Sequence, residues 1–252
     1  MQLLRMLLVG ALAGFLSGLL GVGGGVVLVP ALVAVLAMAQ RQAHATSLAA
    51  LLPISLAGGV GYVIQGAYDP WVAVSLAVGA LPGVLIGSKL LTKLSDRRLR
   101  LLFTIVMVAA AARLMLPLPE GQEATDLPGY AYALLVGAGV VVGVLSSLLG
   151  VGGGVIIVPL LIVGLAVDPV IAKGTSLLVI IPIAIMASWR NRKNGLGDLK
   201  SAAIVGLAGA AASVGGVQVS MIMDARVAGL VFAVFLLIIV AQILVRELRS
   251  RR

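Results

Sequence analysis

The chain has 252 residues, 61% of them hydrophobic and only 11% charged, with 18 Lys and Arg against 9 Asp and Glu for a formal charge of +9. A soluble domain carries roughly 25% charged residues, so this composition excludes an ordinary water-soluble fold and describes an all-α integral membrane protein. Cysteine is absent and His44 is the single histidine, which removes disulfides, thiolate metal sites and any cysteine-borne sulfur relay.

The first apolar run, Leu3–Ala39, passes into further apolar sequence instead of a polar mature chain, so it reads as a retained membrane segment and not as a signal peptide. It contains "GFLSGLLGVGGGVVLVP", residues 14–30. As one straight helix it would reach about 55 Å, against a hydrocarbon core of about 30 Å. Glycine costs about 1 kcal/mol and proline about 3 kcal/mol relative to alanine inside a helix, so the run is expected to break at Gly21–Gly25. Candidate crossings follow at His44–Gln65, Trp71–Leu91 and Leu101–Leu116, and then the polar stretch "PLPEGQEATDLPG" at 117–129. A second series comprises Tyr130–Val167, Pro169–Trp189, Leu199–Met221 and Val227–Leu244.

The second series repeats the first. "GVLSSLLGVGGGVIIVP" (143–159) matches residues 14–30 at 13 of 17 positions, at an offset of 143 − 14 = 129. The same offset pairs Thr46 with Thr175, Ser47 with Ser176, Pro53 with Pro182 and Asp69 with Asp198, and then slips to 127 for Gly79 with Gly206 and 128 for Asp96 with Asp224. The expected organisation is a first membrane repeat at 1–116, an external polar linker at 117–129 and a second membrane repeat at 130–252.

Loop charge orients these segments. "KLLTKLSDRRLR" (89–100), "RNRKNGLGDLK" (190–200) and "RELRSRR" (246–252) are basic and predicted cytoplasmic, whereas the linker holding Glu120, Glu123 and Asp126 is predicted external. Residues 40–44 then fall inside and 168–173 outside, so the halves form inverted-topology repeats, each a glycine-tipped hairpin followed by three transmembrane helices. The hairpin arms are either equal, or one full crossing and one shorter return.

Irregular backbone survives at membrane depth only where protein or a water-filled cavity surrounds it. Helices beginning after "GVGGG" present unpaired N–H groups and the positive ends of their dipoles, and glycine lets an anion approach closely. Gly21, Gly23, Gly24 and Gly25 with Gly150, Gly152, Gly153 and Gly154 are therefore the candidate substrate-binding residues, joined by Thr46, Ser47, Thr175 and Ser176, expected to open the next helices and either cap them or face a ligand. Ser17, Ser146 and Ser147 are weaker candidates because their hydroxyls can bond back to their own helix. Gly79, Gly83, Gly87, Gly206, Gly209 and Gly215 read as packing residues. His44 and Lys173 are equivalent and are placed at the two vestibules, either snorkelling to headgroups or drawing anions inward.

Every Asp and Glu falls in or beside a loop, so no carboxylate pair, metal cluster or Ser-His-Asp set assembles within the membrane, and neither an enzyme nor a cofactor is expected. "GVGGG" lacks the Gly-Lys-Ser/Thr ending of a nucleotide loop. The basic residues lie in short clusters without interleaved aromatics, so the partners expected are a small anion and the lipid bilayer, with no nucleic acid; a homo-oligomer is compatible with the sequence. A non-transporting receptor or assembly subunit, in which the glycines only pack helices, is the alternative.

The doubled "LLGVGGGV" segments, each followed by "ATSL" or "GTSL", resemble the TauE/SafE sulfite exporter family, also called the toluene sulfonate uptake permease family, over nearly the whole chain. The resemblance implies a multi-pass carrier of the cell inner membrane for sulfur-containing anions such as sulfite or organosulfonates. The family's glycine segments map onto Gly21–Gly25 and Gly150–Gly154, and its small-Thr-Ser motif onto Ala45-Thr46-Ser47 and Gly174-Thr175-Ser176. Ala45, where glycine is usual, and Ser147, opposite Gly18, depart from the pattern.

Overall fold

The computed structural model describes residues 2–115 and 128–224, together with 226–227, 229–231, 233–234, 236–238 and 240–241. The acidic part of the linker, with Glu120, Glu123 and Asp126, and the basic tail at 246–252 lie outside the described residues. The elements are α1 (Gln2–Leu20), α2 (Gly25–Val35), α3 (Gln40–Ile64), α4 (Pro70–Lys93), α5 (Asp96–Met115), α6 (Gly129–Leu149), α7 (Gly154–Pro159) continued by a π-helical turn (Leu160–Gly164), α8 (Pro169–Lys193) and α9 (Leu199–Ile222). Six of them, α1, α3, α4, α6, α8 and α9, are long and apolar enough to cross a membrane. Their outward faces are apolar: Leu4, Leu8 and Leu12 on α1, Val74 and Val78 on α4, and Leu207 and Val214 on α9 are exposed. In water such a face would be polar, so this surface is matched to lipid. Trp71, Tyr130 and Trp189, all exposed near helix ends, sit where amphipathic rings favour the headgroup level.

Local chemistry sets several helix starts. Asp69, Asp168 and Asp198 occupy the N-cap positions of α4, α8 and α9, and each carboxylate accepts from two backbone N–H groups of the first turn. Pro70 and Pro169 stand at the first helical position, where a missing N–H costs nothing. Because α3 begins at Gln40 and α8 at Pro169, Thr46–Ser47 and Thr175–Ser176 are the seventh and eighth residues of their helices and do not open them. The upstream segments supply enough helix-compatible residues for the helices to start earlier.

Both long apolar runs break at the glycines into unequal arms: 19 residues for α1 and 11 for α2, then 21 for α6 and 6 plus the 5-residue π turn in the second copy. At 1.5 Å per residue the first arms span about 30 Å, long enough to cross a membrane, and the returning arms about 16 Å, too short to do so. The return is visible in packing, since a Cβ on Gly24 would lie 2.6 Å from the Ala13 carbonyl oxygen, back along α1.

The first arm of each repeat packs on the third long helix of the other, α1 on α9 and α6 on α4. Gly10, Gly14 and Gly18 of α1 meet the backbone of Val205, Gly209 and Ser213 on α9, and Gly79, Gly83 and Gly87 of α4 meet Val136, Val140 and Val144 on α6. Both contacts advance together along the chain, so each pair is parallel, with small residues every fourth position letting the backbones touch. Gly14 meets Gly209 as Gly143 meets Ala80, which keeps the structural offset at 209 − 80 = 129 where sequence matching slips to 127. Glycine identity misleads there because the contact needs any small residue, alanine included. Gly206 and Gly209 also pack as expected, but Gly215 has nothing within 4 Å and its neighbour Gly216 makes the contact, on the Phe15 carbonyl. The equivalent helices α3 and α8 lie antiparallel: Thr46 is bonded to Asp198 just past the end of α8, and Gly174 near the start of α8 packs on Tyr62 near the end of α3.

Two outcomes are expected. Gly83→Ala, whose Cβ would fall 2.2 Å from the Val140 carbonyl oxygen, should lower the melting temperature in detergent, whereas Gly215→Ala, in open space within a helix, should hold or raise it, since alanine stabilises a helix interior by about 1 kcal/mol relative to glycine; equal melting of the two would contradict the packing described. The Asp198 carboxyl is held below the usual carboxylate range, first by the Ser201 hydroxyl and then by the Ser201 and Lys200 N–H groups. Its stabilisation is complete above the unfolded carboxyl value of about 3.9 and is lost as pH falls through the lower folded value. The melting-temperature gap between wild type and Asp198→Asn should therefore shrink as pH is taken from 5 to 3; a constant gap would exclude this contribution.

Candidate functional site

The two "GVGGG" tips meet at the buried centre of the molecule. Gly21, Gly23 and Gly24 have φ of 70°, 78° and 76°, and Gly150, Gly152 and Gly153 have 72°, 77° and 88°, a left-handed backbone that glycine adopts without steric cost. Gly25 and Gly154 have ordinary φ and are required for another reason. A Cβ on Gly25 would sit 2.4 Å from the Val151 Cα, and one on Gly154 would sit 2.5 Å from the Val22 Cα, so each tip rests on the other's backbone. Leu51 of α3 and Ile180 of α8 both press on Gly23 and on Gly152.

This close contact leaves backbone donors over. Gly21 N–H bonds the Ser17 carbonyl, Gly150 N–H bonds the Ser146 carbonyl, and the next backbone donors with acceptors are Val27 and Ile156. Among the described residues, the N–H groups of 22–26 and of 151–155 have no acceptor, although all ten residues are buried. Buried backbone N–H groups are paired in the great majority of cases, so two such runs facing one centre are unusual. Beside them the hydroxyls of Ser17, Ser146 and Ser176 are buried without partners. Ser17 and Ser146 thus do not bond back to their own helices.

The other expected residues take defined places. Thr46 Oγ1 accepts from the Asp198 N–H at 2.9 Å, and Thr175 Oγ1 accepts from the Asp69 N–H at 2.8 Å. These threonines neither cap their own helices nor carry an unpartnered hydroxyl; each ties down the loop of the opposite repeat. Ser47 donates to the Gly150 carbonyl at 2.7 Å and so braces the second tip, while its equivalent Ser176 makes no such bond. Ser147 pairs with Ser88 at 2.8 Å.

His44 and Lys173 do not lie at open vestibules. They are 0% and 4% exposed, His44 Nδ1 is hydrogen-bonded to the Leu148 carbonyl, and their backbones pack on Gly150 and Gly21 respectively. The crossing of α3 and α8 beside the tips carries their second turns into the core, which loop-charge topology could not foresee. Lys173 Nζ donates to Ser220 Oγ at 3.0 Å, and Ser220 is bonded to the Tyr62 hydroxyl at 2.8 Å.

Tyr62, Ser220 and Asn191 were not among the expected site residues. Tyr62 and Asn191 are equivalents at the 129 offset, both buried, and neither Asn191 side-chain polar atom has a partner. The available signal was a polar residue on each of two paired apolar helices; it was hidden because tyrosine and asparagine do not match by identity.

No solved structure matches the chain. The "Probable membrane transporter protein YunE" of Bacillus subtilis is 27% identical over 203 residues, covering 71% of this chain and 74% of the relative. A "Probable membrane transporter protein" of Haemophilus influenzae is 32% identical over 63% of this chain and 62% of its own length, and one of Xylella fastidiosa is 29% identical over 75% and 74%. Residues 1–114 and 135–252 match the family described as "Sulfite exporter TauE/SafE", and both matched stretches carry a glycine tip. The chain is thus a multi-pass membrane protein belonging to the sulfite exporter TauE/SafE family.

Proposed function

We propose that this protein is a transporter of the cell inner membrane that exports a small sulfur-containing anion such as sulfite or an organosulfonate, bound between the two glycine tips and exposed alternately to either side. The observation that carries this reading is the pair of buried runs of unpaired N–H groups, 22–26 and 151–155, flanked by the partnerless hydroxyls of Ser17, Ser146 and Ser176. An oxyanion is an acceptor-only ligand that accommodates many donors at once, and helix starts add favourable dipole ends. Sulfur oxyanions and sulfonates present three or more such oxygens.

The alternating access is that of two inverted-topology repeats rocking about one site. It is supported by the antiparallel course of α3 and α8 and by the reciprocal bonds of Thr46 with Asp198 and Thr175 with Asp69. The alternative of a receptor or assembly subunit draws support from the tip glycines, whose missing Cβ atoms are all required by packing or backbone angle. Glycine substitutions therefore do not separate the two readings, whereas the serines do, because removing a partnerless hydroxyl breaks no bond within the protein.

Liposomes containing the purified protein are expected to carry sulfite or methanesulfonate. Ser17→Ala, Ser146→Ala and Ser176→Ala should each weaken substrate affinity about 2- to 10-fold with unchanged melting temperature. A triple variant with full affinity, or the absence of flux for any anion, would sink the site proposed. The inverted arrangement has its own probe, because the chain contains no native cysteine. Gln65 and Asn194 are equivalent exposed residues ending α3 and α8. Cysteine at 65 should react with an impermeant reagent from outside and cysteine at 194 only from the cytoplasm; labelling of both from one side would refute the arrangement.

A further inference from the structure

Lys173 is a cation inside the membrane domain. Its ammonium has three donors, of which Ser220 takes one, and among the described residues no other acceptor is bonded to it. Ser220 in turn meets the Tyr62 hydroxyl, and Tyr62 meets the Gly18 carbonyl at 2.8 Å. The assignment satisfying every group has Lys173 donating to Ser220, Ser220 to Tyr62 and Tyr62 to Gly18, a line across α8, α9, α3 and α1. The carboxylate in electrostatic contact with Lys173 is Asp168, which is engaged as the cap of α8. A buried cation hydrogen-bonded to one neutral hydroxyl, with its carboxylate neighbour outside hydrogen-bond reach, is expensive, and intramembrane ionisable residues pair or mark a substrate path.

The constellation belongs to one tip only. A Cβ on Gly21 would fall 2.5 Å from both Cα and Cβ of Lys173, so the lysine stem lies on the first tip's backbone. Ser17, with its partnerless hydroxyl, is one turn back, and the equally partnerless Ser213 hydroxyl lies beside Gly58 on α3. At the 129 offset, Lys173, Tyr62 and Ser220 correspond to His44, Asn191 and Leu91, which cannot build the same hydroxyl-supported ammonium.

Resting on the transport function proposed above, we infer that Lys173 meets the charge of the transported anion, so that the site is one-sided, lies against the first tip, and selects singly charged oxoanions over doubly charged ones. One ammonium in a water-poor centre neutralises one negative charge; backbone N–H groups and hydroxyls supply hydrogen bonds but no second full charge. A second charge would stay uncompensated at low dielectric, where it is strongly disfavoured. The ligand class is the sulfonate monoanion and the hydrogensulfite form of sulfite, against sulfate and other dianions. Ser220 and Tyr62 act as positioning residues that hold the ammonium toward the tip.

The test measures binding of methanesulfonate and of sulfate to detergent-purified full-length protein by calorimetry, with flux of both in liposomes. Wild type should bind methanesulfonate at least about tenfold more tightly than sulfate. Lys173→Gln should weaken methanesulfonate about tenfold or more, the loss expected when a charge-assisted hydrogen bond goes, and Lys173→Arg should restore most of it. Lys193→Met, which removes a surface lysine stacked 3.9 Å over Trp189, should leave affinity unchanged and so exclude a general loss of positive field. Unaltered affinity in a monodisperse Lys173→Gln would overturn the assignment. If that variant fails to fold, wild type alone decides, because sulfate bound as tightly as methanesulfonate would also overturn it. Transport that does not depend on Lys173 removes only this inference, whereas folded wild type that neither binds nor carries any oxoanion removes the transport function as well.

Discussion

The contact of Gly25 with the Val151 backbone, mirrored by Gly154 on the Val22 backbone, is the constraint on which the rest of the molecule depends. Two chain reversals at membrane depth must be shielded from lipid, because polar backbone exposed to hydrocarbon costs several kcal/mol per group. Here each reversal shields the other, and no residue with a side chain fits at either contact point. The remaining helices arrange themselves about this meeting: α3 and α8 cross beside it through Leu51 and Ile180, and α1 and α6 deliver the tips from separate bundles. The same contact leaves the N–H groups of 22–26 and 151–155 without acceptors, so the feature that closes the fold also supplies the donors on which the proposed anion site rests.

Neither repeat is complete without the other. The small-residue face of α1 finds its partner on α9 and that of α6 finds its partner on α4, while Thr46 and Thr175 hold loops that belong to the opposite repeat. In lipid there is little hydrophobic drive between helices, so close backbone packing and buried hydrogen bonds must supply the association. Because the first arm of each repeat packs on the other, both resources run between the repeats. Movement of one repeat against the other must therefore pass through these shared contacts.

Against this near-symmetry of backbone stands an asymmetry of polar content. The first tip is flanked by Lys173, Ser220 and Tyr62, and the second by His44 and the Ser88–Ser147 pair. Internal duplication supplies two equal cradles of backbone donors, and divergence of a few side chains makes them chemically different. The sulfite exporter TauE/SafE family match covers both copies of the glycine tip, and among the described residues only the first tip has a lysine packed on it.

The sequence by itself determined the environment, the repeat and the breaks. Composition alone demands lipid, the 129-residue offset is visible in identities, and runs too long for one crossing and carrying triple glycines had to reverse direction. Small residues at every fourth position announced helix contacts, because that spacing follows from helix geometry alone. What pairs with what was decided only by tertiary structure. No local signal says that α1 packs on α9, that Thr46 reaches Asp198 across 152 residues, or that Gly216 and not Gly215 faces its partner, since each depends on how helices rotate about their axes once packed. His44 and Lys173 are the clearest case. Loop charge placed them at the two mouths, where they would meet headgroups or incoming anions, but the packing of α3 and α8 against the opposite tips buries both residues, and burial within a bundle is set by helix packing that a linear pattern does not contain.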